Sequence, residues 1–258
     1  MTNFCAAVLS VLLLCPALGA RADDAPAPPP PTGVWIGKGQ FGFVSSRGNS
    51  EAESINGNID VLRYDGEWKN ELYLGGLYGR SSGVVSAQRW ETRSQSNYNI
   101  SNELFAFGGL RYQRDLFDGF QYQASATAGM GYKFIDTNDT KLSGQVGAGY
   151  RRLRPEDIFK DANGVVTSRV LHDATGEAIG TAGLDFSHAF NKSTTLTNKF
   201  LMEAGSSNTL LHDDLALTVK MSEKLALSVG YGITDNTNPP ATLKKLDTIT
   251  TVNLVFAF

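Results

Sequence analysis

Apolar and polar side chains alternate residue by residue along much of this chain, and that two-residue period commits the backbone to extended strands. The clearest run places Phe120, Tyr122, Ala124, Ala126, Ala128, Met130, Tyr132 and Phe134 on one face. Gln121, Gln123, Ser125, Thr127, Gly129, Gly131 and Lys133 fall on the other. A second run sets Leu225, Leu227, Val229, Tyr231 and Ile233 against Lys224, Ala226, Ser228, Gly230 and Gly232. A third sets Trp90, Tyr98 and Ile100 against Arg89, Glu91, Arg93, Gln95 and Asn97. Helices would repeat near 3.6 residues instead.

Proline placement agrees with the alternation. A proline cannot donate to a sheet ladder and is kept out of paired strands. Of nine prolines, Pro16, Pro26 and Pro28 to Pro31 precede the alternating region, and Pro155, Pro239 and Pro240 lie in its most loop-like segments. Residues 32–154 contain none. About twelve strands are expected, near 35–46, 52–64, 67–80, 88–101, 103–114, 119–135, 140–154, 175–190, 193–206, 208–221, 224–234 and 246–258. Most are longer than the five or six residues usual in soluble sheets.

Residues 1–22 read as a secretory signal. Ala6 to Leu14 forms its apolar core, and Ala20-Arg21-Ala22 its small-x-small cleavage pattern, although Met1 to Phe4 lack a basic residue. Cys5 and Cys15 are the chain's two cysteines, so the exported chain has no thiol to oxidise. Residues 23–33 read as a proline-rich linker, and residues 34–258 as one domain. The mean hydropathy of −0.18 is too polar for a bundle of membrane helices, but barrel strands alternate and read as soluble on average. Acidic residues outnumber basic ones, 26 to 23, so nothing points to nucleic acid.

The turns alternate in length. Asp65-Gly66, Ser101-Asn102, Asn138-Asp139, Asn191-Lys192 and Ser222-Glu223 are tight, whereas 81–87, 155–174 and 235–245 read as longer loops. Outer-membrane barrels have this asymmetry, with short periplasmic turns opposite longer external loops, and here it is partial, since Arg47-Gly48-Asn49-Ser50 and Ser206-Ser207 are short on the long side. Tyr122 and Tyr132 share a face ten residues apart, which is about 25 Å along the membrane normal for a tilted strand, the height of the apolar band between aromatic girdles. Open sheet edges cannot sit in lipid, so the expected fold is an all-β, closed antiparallel transmembrane barrel in the bacterial outer membrane. Outer-membrane lipid and the barrel assembly machinery are its expected partners. A secreted soluble β-sandwich that binds a ligand is the competing fold, because its buried faces also alternate.

Charges on the polar faces are the candidate lumen-lining residues: Lys69, Glu71, Arg89, Glu91, Arg93, Arg111, Lys133, Lys141, Arg151 and Lys220. Lipid would accept them near its centre only at a cost of a few kcal/mol each. Mixed signs permit either salt-bridge ladders that plug the lumen or a wet channel. The last strand ends at Phe258, with Val252, Leu254, Phe256 and Phe258 on one face. Phe256 and Phe258 are the expected assembly signal, since a terminal strand that closes the barrel gives the apolar terminus a reason.

Other motifs have plainer readings. Gly37-Lys38-Gly39-Gln40-Phe41-Gly42 matches the dinucleotide fingerprint, but no helix pattern follows to hold a pyrophosphate. His172, His188 and His212 belong to no zinc motif and read as surface or girdle residues. No G-x-S-x-G is present, and Ser187 and His188 are strand neighbours that face opposite ways. No cofactor is expected. A structural or narrow-pore role is favoured over the alternative of a lipid- or peptide-hydrolysing barrel enzyme.

Two short motifs resemble a known family. Ser46-Arg47-Gly48-Asn49-Ser50 is similar to its small-x-Gly-Asn-Thr/Ser element, and Arg111 to Gly119, reading RYQRDLFDG, to its Tyr…Asp-x-Phe-x-Gly element. With the aromatic C-terminus, these resemble the family of salt-induced outer-membrane proteins over roughly residues 33–258. The resemblance implies an outer-membrane barrel, no catalytic residues, and a link to salt or osmotic stress.

Overall fold

The computed structural model describes residues 32–46, 52–117, 119–239 and 244–258, so the signal and most of the linker lie outside the described residues. Thirteen strands follow one another: β1 (Trp35–Ser46), β2 (Ala52–Asp65), β3 (Trp68–Ser81), β4 (Val84–Asn99), β5 (Leu104–Asp115), β6 (Phe120–Asp136), β7 (Thr140–Lys160), β8 (Val166–Leu171), β9 (Thr175–Ala189), β10 (Thr194–Gly205), β11 (Thr209–Lys220), β12 (Leu225–Asn236) and β13 (Leu246–Ala257). Twelve of them, all but β8, close into one antiparallel barrel. Sequential strands pair side by side, β9 pairs with β7, and β13 returns to pair with β1. The sheet has no second layer to pack against, so the sandwich alternative fails.

The barrel is inside-out relative to a soluble domain. Leu110 and Val146 are 64% and 65% exposed on the outer wall, among many exposed Leu, Ile, Val, Phe, Trp and Tyr side chains. The interior holds Arg111, Glu91, Glu203 and Arg151, all buried. Tyr132 stands on the outer wall as expected. Tyr122 joins an outer aromatic stack, 6.0 Å from Tyr112, which is itself 5.0 Å from Trp90.

Three local expectations are corrected. First, β4 begins at Val84, not near 88, because Ser82-Gly83 makes a two-residue turn. Both residues have positive φ, 50° and 78°, as the hairpin turn matched to strand twist requires. Second, Phe120 leaves the face it shares by parity with Tyr122. A bulge between the two shifts the register and turns Phe120 into the barrel, 5% exposed.

Third, the 155–174 loop is a hairpin. β7 runs past the rim to Lys160, and β8 folds back on the overhang from Glu156↔Leu171 to Lys160↔Val166. Pro155 therefore lies inside a strand. It sits where β7 changes partner, after its last register with β9 at Leu153↔Thr175. The Pro155 carbonyl accepts the His172 N–H at 3.0 Å. Pro155 has no N–H to return, and Arg154 Nε donates to the His172 carbonyl in its place at 3.1 Å.

Candidate functional site

The inward parity of β4 and β5 brings three arginines, Arg89, Arg93 and Arg111, around one carboxylate. Arg93 and Arg111 stand directly opposite each other across the β4–β5 ladder, an arrangement that destabilises a sheet when uncompensated. Glu91 compensates it. Its carboxylate accepts from Arg111 Nε at 2.8 Å and Arg89 Nη2 at 2.9 Å, and lies 3.6 Å from Arg93. The Arg93 guanidinium also covers the Tyr73 ring at 4.1 Å. Arg111 further donates to Gln113 beside it.

The network then crosses the lumen. Arg111 on β5 lies 3.6 Å from Glu203 on β10, and 3.4 Å from His212 Nε2 on β11. Ser125 on β6 donates to Glu203 at 2.9 Å, and Arg151 on β7 approaches it at 3.8 Å. Arg151, with no exposed surface, also donates to Glu177 at 2.5 Å and to the Asn208 carbonyl at 2.6 Å. Elsewhere Gln95 on β4 donates to Gln145 on β7 at 3.1 Å. Lys199 on β10 donates to Glu71 on β3 at 3.0 Å. Apart from Arg151 and Glu177, which face each other across the adjacent β7 and β9, none of these strand pairs is adjacent, and β3 and β10 are diametrically opposite in the ring. The middle of the barrel is bridged from wall to wall, and Glu203 at its centre keeps 2% of its surface.

Apolar groups narrow the lumen further. Phe105 and Phe107 on β5 point inward and are buried. Their rings lie flat on β6 and β7 because Gly129, Gly131 and Gly147 carry no side chain there. A carbon added to Gly129 or Gly147 would meet the Phe107 ring at 2.8 and 3.0 Å. Phe120, Leu153, Ile179 and Leu210 are buried inward near the other ends of their strands.

Of the candidate lumen charges, the network brings together Arg89, Glu91, Arg93, Arg111 and Arg151, while Glu71 pairs separately with Lys199 and lies 3.6 Å from Lys69. Lys133 is half-buried on the inward parity of β6. Lys141 is exposed near a tight turn, 3.7 Å from Asp136, and Lys220 is exposed at the end of β11. Glu177, Lys199 and Glu203 were not among the candidates, although the alternation of β9 and β10 places them on the same inward parity as Thr181 and Thr197. His212 is corrected from the surface to the interior, where its Nδ1 meets Thr234 Oγ1 at 3.0 Å. His172 sits on the β7–β8 hairpin 2.8 Å from Asp157, and His188 meets Thr140 Oγ1 at 2.8 Å. Phe256 and Phe258 lie on the outer wall with ring centroids 6.5 Å apart. Arg47 to Ser50 and Asp118 of the resembling motifs lie outside the described residues.

Comparison with known proteins gives a family match over residues 39–258, described as "Protein of unknown function, DUF481". The uncharacterized protein YdiY of Escherichia coli (strain K12) is 21% identical over 224 residues, covering 84% of this chain and 80% of the relative. Among solved structures, an outer membrane channel from Pseudomonas putida F1 aligns at a TM-score of 0.49 and 11% identity, over 91% of this chain and 97% of that one. The NanC porin aligns at 0.48 and 9%, over 86% and 98%. The translocator domain of the autotransporter NalP from Neisseria meningitidis aligns at 0.46 and 14%, over 87% of each.

Proposed function

From the premise that the chain belongs to the DUF481 family, we propose that it spans the bacterial outer membrane as a structural barrel whose lumen is held shut by its own charges. The observation that carries this reading is Glu203, reached from β5, β6 and β7 by Arg111, Ser125 and Arg151. Three strands are thereby tied to a fourth across the space a solute would need. The outer wall supports the location, because its exposed apolar side chains suit hydrocarbon and a closed ladder leaves no edge for lipid to solvate. A twelve-stranded barrel is also smaller than the 16- to 18-stranded porins that keep an aqueous channel.

The reading includes assembly through the last strand, with Phe256 and Phe258 as the signal met by the assembly machinery. It includes no catalytic step. The link to salt or osmotic stress rests on family resemblance, and transcript and protein levels after an osmotic upshift test it.

Single-channel recording in planar bilayers tests the closed lumen. Wild-type protein is expected to show no steady open state, and Glu203→Ala to show one. Channels in which Arg89, Glu91 and Arg93 are neutralised serve as the comparison. Steady wild-type conductance altered by those substitutions would make the barrel a narrow pore instead. Lipid or peptide hydrolysis by purified protein would overturn both readings.

A further inference from the structure

The outer wall carries charge that the lumen network does not explain. On β5 and β7 the inward set is Arg111, Gln113, Arg151 and Leu153, so Arg114, Arg152 and Arg154 face out. The ladders place them together. Trp90 is opposite Arg114, Tyr122 opposite Arg154, and Ala124 opposite both Tyr112 and Arg152. Strands lie about 4.8 Å apart, so β5 and β7 are separated by about 10 Å, and Arg152 and Arg154 by about 7 Å along one strand. Three guanidinium groups on flexible stems can therefore converge on one group a few ångströms wide.

Among the described residues, no acidic side chain pairs with them. Arg114 and Arg152 are exposed and make no side-chain hydrogen bond or ion pair among the described residues, and there Arg154 uses only its Nε, on the His172 carbonyl. Among the described residues, the carboxylates close to them in sequence have partners of their own: Asp115 accepts from the Phe117 N–H, Glu156 from Arg169, and Asp157 lies against His172. Three arginines without a carboxylate partner among the described residues, at the edge of an apolar wall, are an electrostatic liability unless an anion covers them.

The surface beside them is apolar and concave. A groove of about 450 Å³ runs along the wall from Arg152, floored by Ala124 and Ala126 and flanked by Leu110, Tyr112 and Tyr150. The Trp90–Tyr112–Tyr122 stack marks the membrane–water boundary here, since aromatic rings gather at that level. The arginines lie at and just below the rings, on the side of the β7–β8 hairpin and away from the chain termini.

We propose that Arg114, Arg152 and Arg154 bind the phosphorylated headgroup of an outer-leaflet lipid, with one acyl chain lying in the Ala124–Ala126 groove. Arginine matches phosphate through paired N–H donors, and such charge-assisted bonds are about twice as strong as neutral ones. The groove fixes the source as a lipid: a free phosphate would use the arginines and leave the alanine floor unoccupied. This inference rests on the outer-membrane reading above and adds a ligand to it.

The full chain in detergent micelles is titrated with diphosphorylated lipid A, followed by native mass spectrometry, with dephosphorylated lipid A and inorganic pyrophosphate as comparison probes. Lipid A is expected to bind at least tenfold more tightly than either probe. The triple variant Arg114→Gln/Arg152→Gln/Arg154→Gln is expected to lose at least tenfold in lipid A affinity while keeping its heat-modifiable fold. Ala126→Phe, which fills the groove and keeps the charges, is expected to weaken lipid A and leave pyrophosphate unchanged. Equal binding of pyrophosphate and lipid A would replace the lipid with a free-phosphate site. Equal binding of lipid A by wild type and triple variant would overturn the site. Fractionation separates the two readings: a chain found in the outer membrane that does not bind lipid A sinks this inference alone, and a chain found elsewhere sinks the location.

Discussion

Phe258 lies on Gly37. The two residues exchange both backbone hydrogen bonds, each at 2.9 Å, and the Phe258 ring occupies the space a side chain on Gly37 would need. The contact sits beside the β1–β13 seam, whose register runs only from Lys38↔Ala257 to Phe41↔Leu254. The shortest ladder of the barrel is thus covered by the last side chain of the sequence.

Gly37→Val should destabilise the barrel by displacing that ring. Overpacking typically costs about 1–3 kcal/mol. Urea titration of the heat-modifiable band measures it, and Gly37→Val/Phe258→Ala should recover part of the loss. A single variant as stable as wild type would show that the ring does not need the glycine.

Phe258→Asp and deletion of Phe258 should both lower the fraction of chain that reaches the outer membrane. Each removes the aromatic that covers the seam, and Asp adds a charge to the lipid face. Normal insertion of both would remove the assembly role given to this strand.

Glu91→Gln should be more damaging than loss of a surface charge. It leaves the buried Arg111 facing the half-buried Arg93, and breaking a buried pair from one side costs about 3–5 kcal/mol. Adding Arg93→Leu should restore much of the stability, because the repulsion goes with the second charge. Denaturant midpoints for the two singles and the double give the coupling directly.

Gly147→Val should push the Phe107 ring off the inner wall, and the carbonyl of Ala128 facing it leaves little room for a shift. A loss of about 1–3 kcal/mol is expected. Phe107→Ala in the same chain should not rescue it fully, since the clash with backbone remains. Thermal unfolding of the three variants in detergent distinguishes ring from backbone.

Strand parity made much of this architecture legible. The alternation of 120–134 and 224–233 shows which side chains face out, and a bilayer then decides which set is the interior. The same rule covers Lys199 and Glu203, which share the inward parity of the 193–206 strand with Thr197. Two features were not accessible by parity. The bulge beside Phe120 inserts one residue and reverses the faces before it. The meeting of Arg111 with Glu203 depends on the circumference and stagger of the closed sheet, which no single strand encodes. Pro155 misled for a third reason: a proline is excluded from a strand only where its missing N–H would be needed, and Arg154 supplies that bond from a side chain.

The partner change at Pro155 divides β7 into two mechanical units. Below it the strand is locked between β6 and β9; beyond it the Glu156 N–H still donates to the Gly119 carbonyl at 2.8 Å, and the ladder from Asp157 to Lys160 is with β8 alone. Bending, trimming or lengthening the hairpin beyond Glu156 breaks no ladder bond of the barrel wall. The tip at Asn163-Gly164 is therefore a place where the molecule can vary its outward-facing contour freely, while the twelve strands beneath keep a shape that lipid does not allow to change.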